Sequence, residues 1–279
     1  MLDDIFFTEY LFSKAESTKK TYRLALLRFS AWLHNTNQTI QECTRFDLQE
    51  YLSYCLYEKK WTPETIRREF AAIRLYLAYL EKENLLRDIA LPKQSHLAIS
   101  PKSLDKNERN RIFRAVEKSG KVRDTAIIYL LYETGIRAHE LVQLNRDDIE
   151  LTYRATQSRV IIRSGKGNKY RTIPFPKESN AKYWLEEYLK ERYDSNEALF
   201  LSNYRLRLSQ RSLNRILHEY GIHPHLLRHT MLSQLARNGV DLVTVASIAG
   251  HTNLQTTQRY TMPREEELQE AMNRAFHRE

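Results

Sequence analysis

Residues that interrupt helices are scarce in this chain: of 279 residues, only 7 are glycine and 7 proline. Apolar residues recur mostly three and four apart, so the expected fold is mainly α with a small β-hairpin or sheet. Cysteine is scarcer still. Cys43 and Cys55 have no second pair and no histidines at metal spacing beside them. That excludes a disulfide-rich scaffold and leaves ordinary reduced thiols, a single structural disulfide being the alternative. Long apolar runs are missing too, and the stretch Ala126 to Tyr132 is far too short to cross a bilayer. Met1-Leu2-Asp3-Asp4 carries no basic segment ahead of an apolar run, so no secretory signal is expected and the expected location is cytoplasmic. No G-x-x-x-x-G-K-[ST] loop and no Asp/Glu cluster stands out, so neither nucleotide hydrolysis nor two-metal nuclease chemistry is indicated. No cofactor and no metal are expected.

Positive charge is what the chain has in surplus. Lys and Arg number 44 against 35 Asp and Glu, a net +9, with a pI near 9.4. This favours a polyanionic partner such as nucleic acid, although many basic proteins bind none. A hydrophobic content of 42% with 28% charged residues describes a globular protein, and the length fits two domains better than one.

The pattern divides the chain at 90. Before it lie four helical segments: residues 3–13, then Ser17 to His34 with Tyr22, Leu26, Phe29 and Leu33 along one stripe. Thr44 with Asp47 caps a third running to about Lys59, and Thr62-Pro63 opens a fourth ending near Glu83. Residues 91–103, LPKQSHLAISPKS, carry prolines and lysines without a stripe and read as a linker. The second domain, 104–279, opens on an Asp105/Glu108 capping box. Its one clear strand signal is Arg159–Arg163 and Tyr170–Phe175, joined by the turn residues Ser164-Gly165-Lys166-Gly167-Asn168. Helices are expected at 178–192, 209–219, 225–238, 241–248 and 254–261, followed by a charged tail after Pro263.

A sparse polar set sits at the ends of these elements. Arg137 follows the Thr134-Gly135 break, Lys166 occupies the hairpin turn, and His225 and Arg228 open the helix begun by Pro224. His251 follows Gly250, with Tyr260 nine residues on. Such a set suits a phosphodiester. Arginines grip non-bridging oxygens and stabilise the charge of a pentacoordinate transition state, and a tyrosine can attack phosphorus and form a covalent ester. A phenol of pKa about 10 is ionised only about one part in a thousand at pH 7 and needs cations or a base nearby. A lysine can protonate the departing alkoxide. His223, His225 and His229 also have a spacing found in zinc sites, but no H-E-x-x-H glutamate or cysteine joins them.

In these residues the second domain resembles the tyrosine recombinase (phage integrase) family, most closely its compact Xer-like branch. The resemblance is carried by Thr134-Gly135-Ile136-Arg137-Ala138-His139-Glu140-Leu141, Gly165-Lys166-Gly167-Asn168-Lys169, His223-Pro224-His225-Leu226-Leu227-Arg228-His229-Thr230, Ala249-Gly250-His251-Thr252 and Thr256-Thr257-Gln258-Arg259-Tyr260-Thr261. The family often has Leu or hydroxyl-bearing residues where this chain has Ala138, His139 and Ala249.

The resemblance implies a helical, SAM-like core-binding bundle at 1–90, a linker at 91–103 and a catalytic domain at 104–279. It also implies a site-specific DNA recombinase working through a 3′-phosphotyrosine and a Holliday junction without ATP or metal. It makes Arg137 and Arg228 the phosphate-binding arginines, Lys166 the general acid, His225 an acid/base or phosphate donor, His251 a phosphate donor and Tyr260 the nucleophile, with Glu140 in support. Expected partners are double-stranded DNA with inverted sites and a homo- or hetero-tetramer on synapsed DNA. The tetramer would be held through the tail stripe Leu268, Met272 and Phe276. Lys19, Lys20, Arg23, Arg67, Arg68 and Arg74 in the first domain are candidate DNA contacts, with Arg154, Arg159, Arg163, Lys169 and Arg171 in the second. The helix from 62 to 83 is the candidate for a major-groove element. A type IB topoisomerase shares the chemistry without pairing sites; the rival of another class is a catalytically silent, sequence-specific DNA-binding protein.

Overall fold

A computed structural model describes residues 2–93, 101–152, 158–164, 169–251, 253–263 and 265–276. The chain divides into two compact units, residues 1–97 and 98–279.

In the first unit the helices are Glu16–His34 (α1), Arg45–Ser53 (α2) and Pro63–Tyr79 (α3). Thr44 and Asp47 form the expected capping box, and Thr62 caps α3 ahead of Pro63 at the first helical position. The third segment does not stay α-helical to Lys59: from Tyr54 to Glu58 it winds as a π-helical turn, with Cys55 buried and Tyr54 against Trp32. Helix α3 stops short of Glu83 because Glu81 takes a left-handed φ of 59°, a reversal for which a glutamate gives no local signal. Cys43 and Cys55 are separate buried thiols; burial pushes them up to about 11 and about 12.

Among the described residues of this bundle Glu69 is the most deeply buried charged group, ahead of Asp47 at 6% exposed. Glu69, 2% exposed, accepts from Arg28 Nε (3.0 Å) and Nη2 (2.5 Å) and from the Tyr51 hydroxyl (3.1 Å). Removing one partner strands the other in a medium that cannot solvate it. Arg28→Met keeps the stem but leaves the buried carboxylate with Tyr51 alone. It is expected to cost about 3 kcal/mol, read as a lower urea midpoint at unchanged slope.

The second unit is built around Val122–Thr134 (α5), buried on nearly every face. It packs against Asn180–Lys190 (α7), Pro224–Arg237 (α9) and Lys106–Lys118 (α4), the last opened by the Asp105/Glu108 box. The remaining helices are Ala138–Gln143 (α6), Gln210–Glu219 (α8), Leu242–Ala249 (α10), Leu254–Gln258 (α11) and Glu265–Phe276 (α12). Helix α11 ends before the expected 261.

Three antiparallel strands, Ile149–Glu150 (β1), Arg159–Ser164 (β2) and Lys169–Pro174 (β3), form the sheet in that order. Two residues are too few for alternation to reveal β1. Val160 pairs with Ile173 and Ile162 with Arg171. With Val160, Ile162 and Ile173 all buried, the two-residue period puts Arg171 on the core face. No helix among the described residues is long and apolar enough to cross a membrane.

Candidate active site

Two glycines end the helices that frame the site. Gly135 after α5 and Gly250 after α10 have φ of 58° and 63°, the left-handed caps at which a side chain is strained. Both also permit close approach. A Cβ on Gly135 would fall 2.1 Å from Met231 Cε of α9, and one on Gly250 would fall 2.8 Å from Arg171 Nη1 of β3.

The carbonyls left unpaired at the end of α10 receive three arginines in succession. Arg171 Nε donates to Ile248 O (3.2 Å), Arg228 Nη2 to Ala249 O (2.6 Å) and Arg137 Nη2 to Gly250 O (3.0 Å). Helix C-termini carry unsatisfied carbonyls and the negative end of the helix dipole, so they hold cations well. Arg228, 4% exposed, also donates to Gly135 O at 2.5 Å. Both glycine stops are thereby tied to one guanidinium. Burial first, and Arg137 next, bring Arg228 down to about 10, so it remains a cation at neutral pH.

Glu140 binds this cluster from below. Its oxygens accept Arg171 Nη1 and Nη2 (2.7 Å each), Arg137 Nη1 (3.1 Å) and the Arg137 backbone N–H (2.7 Å), the last closing a capping box on α6. Burial alone would raise this carboxyl. The bonds from Arg171 and the Arg137 N–H, with the charges of both arginines, outweigh it and hold Glu140 at about 2.

His251 and Tyr260 complete the cluster. His251 Nε2 lies 3.0 Å from Arg228 Nη2, and Nδ1 lies 2.9 Å from Thr257 Oγ1. Arginine only donates, so Nε2 accepts and Nδ1 carries the proton toward Thr257. Burial, then Arg228, Arg137 and Arg171, lower His251 to about 4, which keeps it neutral at neutral pH. The Tyr260 ring lies nearly parallel to that of His251 (9°, centroids 6.3 Å) and is 3% exposed. Its hydroxyl is 2.8 Å from Nδ1 of His229, not of His225. Burial raises the Tyr260 phenol, an effect only partly offset by Arg228, Arg259 and Arg137. A cleft of about 790 Å³ opens beside the cluster, lined by Arg137, Gln143, Arg163, Tyr170, Arg171 and His251.

Of the residues singled out in the sequence, Arg137, Glu140, Arg228, His251 and Tyr260 are thus brought together. His225 stands at the start of α9, exposed, its ring 6.2 Å from that of His229. Lys166 and Arg154 lie outside the described residues, as does the side chain of Lys169. Arg171, expected to face DNA, is engaged inside the protein at all three guanidinium nitrogens, because its place in the register is on the core face. Arg163 pairs with Asp148 (2.6 Å) and Arg159 with Glu150 (2.5 Å). In the first unit, Lys19 pairs with Glu16, Arg23 pairs with Asp4 and lies over the Phe7 ring, and Arg67 donates to Pro92 O. Lys20, Arg68 and Arg74 are exposed, with no ion pair among the described residues. Sequence reasoning gave no role to Thr257, and noted His229 for a spacing found in zinc sites. Their positions, three before Tyr260 and one after Arg228, were visible, but the contacts are tertiary.

Comparison with known proteins identifies the family. Residues 102–267 match the model of the phage integrase family, and residues 7–85 match that of the phage integrase N-terminal SAM-like domain. Tyrosine recombinase XerC of Pediococcus pentosaceus is 31% identical over 98% of this chain and 97% of its own. XerC of Staphylococcus saprophyticus subsp. saprophyticus is 33% identical over 91% and 89%. Among solved structures, the XerH site-specific recombinase bound to palindromic difH substrate in a post-cleavage complex superposes with a TM-score of 0.73. It has 25% identity and covers 91% of this chain and 79% of its own. The chain belongs to the phage integrase family. It is a tyrosine-type site-specific recombinase.

Proposed function

We propose that the second unit cuts and rejoins DNA by transesterification at Tyr260. The Tyr260 oxygen bonds to phosphorus as the bond to the 5′ oxygen breaks, giving a 3′-phosphotyrosyl link. The phenolic proton leaves through His225, and Lys166 protonates the departing 5′ oxygen. Attack by the freed 5′ hydroxyl of the partner strand reverses the step, so the bond energy is retained and neither ATP nor metal is required. The observation that carries this reading is the row of Ile248, Ala249 and Gly250 carbonyls. It gathers Arg171, Arg228 and Arg137 beside His251 and Tyr260 from four separate stretches of chain.

In this reading Arg137 and Arg228 keep their carbonyl partners and turn their remaining N–H groups to phosphate oxygens. His251 becomes a phosphate donor once Arg228 turns from its Nε2 and the ring's proton moves to that nitrogen, Thr257 then donating to Nδ1, and Glu140 keeps Arg137 oriented. A catalytically silent binder would have no use for one buried and two partly buried cations gathered in one place, an assembly that costs desolvation.

The XerH complex with a palindromic substrate supports a partner DNA with inverted sites. Phosphate contact falls to Lys20, Arg68 and Arg74, which are exposed, and then to Lys19, Arg23, Arg67, Arg163 and Lys169. Helix α3 is the major-groove element, and the domain roles follow the division at 1–90, 91–103 and 104–279. Leu268, Met272 and Phe276 are 53%, 55% and 76% exposed along α12. Such a stripe suits docking on a neighbouring subunit in a tetramer of one or two recombinases.

The test is a nicked suicide duplex containing a site selected from random DNA by binding. Loss of the short fragment beyond the nick should trap the protein on the 3′ phosphate, with the modified tryptic peptide containing Tyr260. A selected site that is bound but never trapped, or trapped at another residue, would overturn the reading.

A further inference from the structure

Tyr260 is held where a duplex cannot reach it. The side chain is 3% exposed, and a phosphate in a DNA backbone cannot follow it into the protein. The hydroxyl must therefore move outward before it attacks. Its partner cannot follow as easily. His229 lies on α9 next to Arg228, whose guanidinium is tied to Gly135 O and Ala249 O. Tyr260 instead lies beyond the short helix α11, held by a backbone bond to Thr257 O (2.9 Å).

We propose that His229 is a positioning residue for the nucleophile, its Nδ1 contact with the Tyr260 hydroxyl holding the phenol withdrawn and protonated until DNA draws it out. The inference rests on Tyr260 being the nucleophile. The two rings also pack at a centroid distance of 5.6 Å, so the histidine fixes the phenol by contact as well as by hydrogen bond. Burial, followed by Arg259, His225, Arg228 and His223, lowers His229 to about 4. A neutral imidazole and a neutral phenol form a stable pair, whereas a charged ring would sit poorly there. Exposed His225, on the preceding turn of α9, stays available to DNA while His229 occupies the hydroxyl. The paired histidines thus divide two states of the enzyme between them.

The consequence runs opposite to that of a catalytic role. Weakening a contact made only in the withdrawn state raises the competent fraction. His229→Phe keeps the ring packing and removes the hydrogen bond. It should speed single-turnover trapping on the suicide duplex by about two- to tenfold, the equilibrium worth of one ordinary hydrogen bond. His229→Asn, with an amide where Nδ1 stood, should gain less. A merely structural histidine would slow the reaction in both variants, and a proton-accepting histidine would slow H229F most; either result overturns the proposal. If the wild type is trapped through Tyr260 but H229F is not faster, this inference fails alone, whereas no trapping in any variant indicts the nucleophile itself. Should H229F fold poorly, 3-fluorotyrosine at position 260 in the full chain replaces it. Its ¹⁹F resonance should move toward the water-exposed value on binding cognate DNA. A signal that stays at its buried position while cleavage proceeds also overturns the idea.

Discussion

Tyr260→Phe should bind its DNA site as tightly as the wild type and leave no covalent adduct, a loss on the order of 10⁴-fold or more. The substitution removes one oxygen. Among the described residues that oxygen's hydrogen-bond partner is His229, and the ring stays in a cluster with Met231, Leu232, Val245 and Ala249. Stability should therefore change by only about 1 kcal/mol, the net worth of one hydrogen bond. Affinity should stay close to the wild type's, since the hydroxyl trades its hydrogen bond to His229 for one to the phosphate when DNA draws it out. Gel shift and denaturing electrophoresis of the same reactions separate the two quantities. Residual adduct at a wild-type rate would mean that another group attacks, and the arginine cluster would then have to be reconsidered as a binding site only. Parallel loss of binding would mean that the hydroxyl supports the fold in a way its single partner does not explain.

How much of this was legible without coordinates depends on whether the information is local. The capping boxes at Thr44/Asp47 and Asp105/Glu108 and the Thr62-Pro63 start are written within four residues each, and all appear in the structure. The hairpin register follows from alternation around Val160, Ile162 and Ile173. The same alternation would have placed Arg171 inward, but a basic residue in a basic hairpin reads as a DNA contact unless its strand parity is counted. The left-handed turn at Glu81 and the π-helical winding at Tyr54–Glu58 have no such local cause. The carbonyl row of α10 is less legible still. Glycine at 250 marks a helix end, yet nothing in the sequence says that three arginines from other elements converge on the freed oxygens. The identity of the histidine at Tyr260 is of the same kind. His225 and His229 share one face of α9, and only the path of the chain after α11 decides which of them the phenol meets.

That carbonyl row also explains why a lysine cannot stand in for Arg228. Arg228→Lys is expected to lower the trapping rate by about 10²–10³-fold, the usual effect of removing one group that stabilises transition-state charge. The planar guanidinium reaches Gly135 O and Ala249 O at once and has His251 Nε2 within 3.0 Å. A single ammonium on a flexible stem cannot hold that geometry and also present paired donors to a phosphate. The pH dependence separates this loss from a general defect. Burial, and then Arg137, bring the native guanidinium down to about 10, so Arg228 stays charged through the working range. A lysine starts about 2 units lower than an arginine and meets the same burial and the same neighbouring cation. It should lose its proton at much lower pH. Since only the cation stabilises the pentacoordinate phosphorus, R228K should lose further activity as pH rises through the mildly alkaline range, where the wild type does not. Its deficit should be smallest on the acidic side of neutrality. A pH profile parallel to the wild type's at uniformly lower rate would show that misplaced geometry, rather than lost charge, accounts for the defect.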